Sequence, residues 1–246
     1  MARIVKKENP MRAKRRRRIR WAKLCFWIAA LCLPAAALIC WLLPELAVGL
    51  LMPVPVLAVI GMAFLTTSQS SITAAGMVGE DMTALLLGRL PEGYTCYQNL
   101  TITYEGKESE LDLVVTGPTG LFILEVKHLN GTVTGNYADS RWQLDKIGRK
   151  GGCYSKEFYS PVKQVGTHTW RLANWLRDRK LFVYINSMVY FSHPGSQVQL
   201  EGRPDKTPVF SGGQEKQMLG HILENRERLD SRTLQRINTA LEETGK

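Results

Sequence analysis

Two acids and a lysine stand out in the stretch ESELDLVVTGPTGLFILEVK, Glu108 to Lys127. Its alternation of polar and apolar residues has the period of a β-hairpin, with Gly117-Pro118-Thr119-Gly120 as a symmetric turn. Counting outward from that turn sets Asp112 opposite Glu125 and Glu110 opposite Lys127. Side chains alternate faces, so Glu110, Asp112, Glu125 and Lys127 share one face while Leu111, Leu113, Phe122, Leu124 and Val126 fill the other. Directly opposed residues have Cβ atoms about 4.5–5.5 Å apart, and like charges at that range are destabilising. Something positive therefore belongs between Asp112 and Glu125. The same face continues into Val114 and Ile123, which makes it a partly apolar floor. Two carboxylates on such a floor suit a hard divalent cation, and Mg²⁺ takes one or two protein carboxylates and leaves its other positions to water and phosphate oxygen. Lys127 is placed to position or deprotonate an attacking water. The alternative is structural: Glu110 pairs with Lys127, and Asp112 and Glu125 bond to nearby backbone.

The elements that must carry these residues can be read around the hairpin. Residues 76–90 read as a helix closed by Pro91, residues 94–102 as a strand, and Tyr104-Glu105-Gly106-Lys107 as the turn into the hairpin. Residues 133–144, with Trp142, read as a strand pair. Pro161 opens a helix running to about Arg179. Residues 181–192 read as a buried strand, Val209-Phe210 as a short strand, and residues 214–243 as one or two helices. The expected fold class is α+β, a mixed sheet flanked by helices.

A set of ordered motifs resembles one family. Gly79-Glu80 early in a helix, Leu-Pro-Glu-Gly-Tyr at 90–94, Glu110-Leu-Asp112, Val114-Val115, Gly117-Pro118, Gly120, Glu125-Val-Lys127, Gly131, Trp142 and Pro161-Val-Lys-Gln164 are similar to the nuclease-related domain, NERD, of the PD-(D/E)xK nuclease superfamily. The likeness covers about residues 76–195. It implies a restriction-endonuclease-like mixed sheet. It further implies that Glu80 is a helix-borne acid near a metal, Asp112 the central ligand, Glu125 and Lys127 the acid and lysine of the ExK signature, and Gln164 a polar residue on a helix beside the site. The implied cofactor is Mg²⁺ or Mn²⁺, held by Asp112, Glu125 and Glu80, and the implied partner is DNA or RNA. His168, one helical turn beyond Gln164, falls on the same side, either against a phosphate or as an ordinary core or surface histidine.

Charge is unevenly spread along the 246 residues. Residues 1–23 hold eleven Lys/Arg against Glu8 alone, which accounts for the net +10 and leaves the remainder neutral. Net charge therefore does not mark the whole chain as a nucleic-acid binder. Within the remainder, residues 141–180 carry ten basic residues against Asp145, Glu157 and Asp178. Tyr154, Phe158, Tyr159 and Trp170 are interleaved with those charges, either stacking on unpaired bases or packing in the core.

Residues 24–43 and 46–65 are two uncharged, largely apolar runs of twenty, joined by Pro44-Glu45, each long enough to cross a bilayer as a helix. They predict a two-span hairpin, and the basic tail then places both termini in the cytoplasm, with its cations on anionic lipid headgroups. The organisation expected is a tail at 1–23, spans at 24–65, a linker at 66–75, a NERD-like domain at 76–210 and a helical segment at 211–246. Of the five cysteines only Cys96 and Cys153 fall in the domain, without a CxxC or a paired histidine, so neither a disulfide framework nor a zinc site is expected. Two functions fit: a membrane-anchored, metal-dependent nuclease, or a NERD-like module that binds nucleic acid or protein with little catalysis.

Overall fold

The computed structural model describes residues 1–7, 75–147, 151–204, 206–226 and 228–244, with scattered helical positions between 17 and 28. The chain divides into two compact units, one of residues 1–7 and 76–246 and one of residues 8–75. In the first unit a six-stranded sheet carries β1 (Arg3–Lys6), β2 (Thr95–Tyr104), β3 (Lys107–Gly117), β4 (Gly120–Lys127), β8 (Ile185–Phe191) and β10 (Val209–Ser211), side by side in that order. A four-stranded sheet runs β7 (Cys153–Tyr159), β6 (Arg141–Ile147), β5 (Gly131–Asn136), β9 (Ser196–Glu201). The helices are α1 (residues 75–87), α2 (Pro161–Asp178), α3 (Glu215–Leu223) and α4 (Ser231–Glu243).

The β3–β4 hairpin forms with the register the turn dictates, Gly117 paired with Gly120 and Leu113 with Leu124. A Cβ on Gly117 would lie 2.2 Å from the Tyr94 ring, so only glycine lets the hairpin and the preceding segment close on each other. Tyr94 and Thr119 share a hydrogen bond of 2.8 Å beside that close approach. Beyond the hairpin, β4 takes β8 as a parallel partner, from Leu121–Ile185 to Lys127–Phe191, and this pairing carries Glu125 and Lys127 to the end of the sheet.

The six-stranded sheet is buried on both faces, which is why β4 reads as a near-continuous apolar run. On one face Leu113, Val115, Phe122 and Leu124 pack with Ala84 and Leu87 of α1 and Met218 and Ile222 of α3. On the other, Val114, Ile123 and Val189 pack with Val165, Leu172 and Leu176 of α2, with Trp142 and Leu144 of the second sheet and with Leu241 of α4. Pro161 sits in the first turn of α2 where its missing N–H costs nothing, and Asp230 caps α4 by accepting from the Thr233 N–H at 2.9 Å.

Four expectations change. The single mixed sheet becomes two sheets, because β5 and β6 leave the main sheet and recruit β7 and β9, both polar strands without an apolar face long enough to announce them. Leu111 packs on the α2 face rather than beside Leu113, because β2 and β3 both change sides at the level of Asn99 and Asp112, where Asn99 takes a positive φ of 58°. The first residues of the basic tail are a strand: Arg3–Lys6 pairs in parallel with Thr95–Gln98 and belongs to the domain. Finally, no helix among the described residues is long and apolar enough to cross a membrane. The spans read at 24–43 and 46–65 lie almost wholly outside the described residues. On that finding the multi-pass membrane placement is corrected; apolar length alone had carried it, and the 18-residue α2 is amphipathic, with Lys163, Arg171 and Arg177 on it.

Candidate active site

The β3–β4 ladder stops at Leu113–Leu124, one residue short of the acids. Beyond it the Val126 N–H has no β3 carbonyl to meet, and the Asp112 carboxyl takes that place, accepting at 2.8 Å. The two strands thus part at the site, and the gap is filled by side chains. Asp112 and Glu125 face one another there, near enough for each to act on the other's charge. Glu125 is 1% exposed.

Burial, then the Glu125 charge, pushes the Asp112 carboxyl up to about 8, against the opposing pull of Lys127 and the Val126 N–H. Burial likewise raises Glu125, opposed chiefly by Lys127, with the Glu80 charge adding to the rise. A divalent cation between the two carboxyls would offset the burial and the like charges that raise both. Lys127 donates to Glu125 at 2.6 Å and to Gln164 Oε1 at 3.0 Å. Desolvation works against its charge, but Glu125, Asp112 and Glu80 together raise its pKa, so the amine stays cationic.

Gln164 and His168 arrive from α2, one turn apart on the side facing β4. His168 Nδ1 lies 3.5 Å from Glu125 Oε2, buried and without a hydrogen bond. Desolvation, Lys127 and Arg171 lower its pKa to about 4, so it is neutral. The structure thus brings Asp112, Glu125, Lys127, Gln164 and His168 together. The pairing of Glu110 with Lys127 does not form: Glu110 pairs with Thr101 of β2, its charge bears on His168, and Lys127 turns to Glu125 and Gln164.

Glu80 comes from α1, and Gly79 explains how. A Cβ there would lie 2.6 Å from His128 Cβ and from Ser192 Oγ, so glycine is what lets α1 approach the ends of β4 and β8. Asp81 secures the same turn by accepting from Gln98 at 2.6 Å and Lys6 at 2.8 Å. Glu80 lies near enough for its charge to raise both Glu125 and Lys127. Among the described residues no three of His, Cys, Asp and Glu converge into a metal-holding group. Three contributors escaped the sequence reading: the Val126 N–H, which no side-chain motif marks, His128, which only the close approach of Gly79 reveals, and Asp81, signalled only by standing next to Glu80.

The observed donors fit a hard cation: the buried Glu125 carboxyl and the half-buried Asp112 carboxyl, with a buried His168 nitrogen without a hydrogen bond 3.5 Å from Glu125. Two protein carboxylates are within the number Mg²⁺ requires.

Residues 75–192 match the nuclease-related domain family, NERD. The mixed α+β architecture is compatible with a nuclease-like fold, and the match supports a nuclease-related function. A Bacillus anthracis protein described as uncharacterized is 28% identical over 108 residues, 43% of this chain and 48% of that protein. The chain thus spans about half the length of that relative. No solved structure matches.

Proposed function

We propose that the chain is a nuclease dependent on Mg²⁺ or Mn²⁺ that hydrolyses phosphodiester bonds of DNA or RNA at the Asp112–Glu125–Lys127 site. The observation that carries this reading is the carboxyl pair itself, Asp112 fixed by the Val126 N–H at 2.8 Å and buried Glu125 by the Lys127 amine at 2.6 Å, on a chain whose residues 75–192 match the nuclease-related domain. Asp112 and Glu125 would hold the ion, with Glu80 at its edge, and the ion would neutralise charge developing on the phosphoryl oxygens. Asp112 is pinned for this by the Val126 N–H, and Glu125 by Lys127. Lys127, held cationic and oriented by Gln164, would bind a phosphate oxygen or orient the attacking water rather than deprotonate it. Neutral His168 would keep the floor of the site free of a second cation.

The test is cleavage of labelled single- and double-stranded DNA and RNA by the full chain with Mg²⁺ or Mn²⁺. Asp112→Asn and Lys127→Ala, each still melting cooperatively, should lose on the order of a hundredfold or more. Wild-type cleavage that persists in chelator, or in Asp112→Asn, would remove this site from the reaction. A second reading has its own observation: no three ligand-type residues converge among the described residues, which suits a module that binds nucleic acid without cutting it. Metal-independent binding with no cleavage of any of these substrates would favour that reading.

A further inference from the structure

Beside the proposed site, α2 presents a second stripe that the reaction does not use. Lys163, Thr167 and Trp170 follow one another at helical spacing, and they lie about a quarter turn round the helix from Gln164 and His168. With Tyr137, in the turn after β5, and Lys206 they line a cavity of about 480 Å³. Trp170 is 56% exposed, which is unusual for an indole on an amphipathic helix. Its ring is nevertheless held: Tyr104 meets it edge to face, with centroids 5.6 Å apart at 84°. The described lining contains two lysines and no carboxylate. An apolar protein partner would not call for two cations flanking an indole. A planar aromatic group carried on an anionic backbone matches all three features.

We propose that this cavity is a subsite for one unpaired nucleotide of the substrate strand, its base stacking on Trp170 and its adjacent phosphates meeting Lys163 and Lys206. The inference rests on the nucleic-acid part of the proposed function and narrows it to strands with unpaired bases, because a base inside a duplex has no free face to offer the indole. A quarter turn round a helix of about 10–12 Å diameter is about 8 Å. A phosphate at Lys127 and a base on Trp170 can therefore belong to neighbouring positions of one strand.

The experiment is binding of a fluorescent thymidine oligonucleotide and of a blunt duplex of equal length to the full chain in chelator, followed by anisotropy. Trp170→Ala should weaken the oligonucleotide about tenfold and the duplex less than about twofold, while Trp170→Phe keeps most of the affinity. Lys163→Ala with Lys206→Ala should lower the slope of log K against log salt by about 0.7 for each phosphate that is no longer neutralised. Trp170→Ala gives up the Tyr104 contact and should lower the melting temperature by no more than about a few degrees, and the lysine variants should leave it unchanged. An oligonucleotide affinity that ignores Trp170, or an equal loss on the duplex, overturns the subsite. Because no metal is present, the outcome is separable from catalysis. Trp170-dependent binding without any cleavage sinks the nuclease reading alone, and cleavage with Trp170-independent binding sinks the subsite alone.

Discussion

Asp112 is the residue on which the site's energetics turn. Its folded carboxyl titrates near 8 against 3.8 for the free group, because burial and Glu125 disfavour its charge. Between those values the folded chain holds a proton that the unfolded chain has released, so this group's contribution to stability is full below about pH 4 and declines as pH rises towards 8. Asp112→Asn keeps an oxygen for the Val126 N–H and removes the charge. It should stabilise the metal-free protein by on the order of 1–2 kcal/mol at pH 8 and by much less at pH 5. Melting at the two pH values checks this, and an Asn variant that is less stable at pH 8 would show that the carboxyl is not strained there. The sequence supplied this pair through the turn alone. Only the structural alternative, Glu110 paired with Lys127, fails, because a ladder that opens after Leu113–Leu124 leaves no mark in residue types, only a backbone N–H in need of an acceptor.

At the scale of elements, α1 is the part held by close approach. Gly79→Ala gains up to about 1 kcal/mol in helix propensity. It also brings a Cβ to 2.6 Å from His128 and Ser192, and overpacking of that kind costs about 1–3 kcal/mol, so the overlap should win. The expected result is a lower melting temperature together with weaker Mn²⁺ stabilisation, since Glu80 moves with the helix. A variant that melts lower but binds Mn²⁺ as before would separate α1 from the site. Helices α1 and α2 and strands β2, β3, β4 and β8 were legible as elements, since their apolar residues recur at the right period. Strands β7 and β9 were not: Cys153–Tyr159 is exposed along nearly its whole length, and its pairing is decided by β6 rather than by its own pattern.

On the scale of the whole molecule, one apolar cluster joins the main sheet to the second sheet through Trp142, which stacks near Phe191 and is 1% exposed. Trp142→Ala should cost about 3–5 kcal/mol. Because the cluster is shared, α2 and its Gln164 should loosen with it, in one cooperative transition rather than two. Hydrogen exchange in the Trp142→Ala protein that opens the four-stranded sheet while α2 stays as protected as in the wild type would contradict a common core. Long-range organisation was the least legible part of the sequence. Strand β1 lies far ahead of its partner β2 along the chain, and no local pattern links Arg3 to Thr95. Apolar runs long enough for a membrane gave an expectation that no described helix supports.

The central claim is that Asp112 and Glu125 together hold one divalent cation beside Lys127. Calorimetric titration of Mn²⁺ into the full chain at pH 6 and pH 8 tests it most directly. One ion per chain should bind, more tightly at the higher pH and with release of a proton, and Asp112→Asn should bind none at that site. No binding in the wild type, or the same binding in Asp112→Asn, would contradict the account.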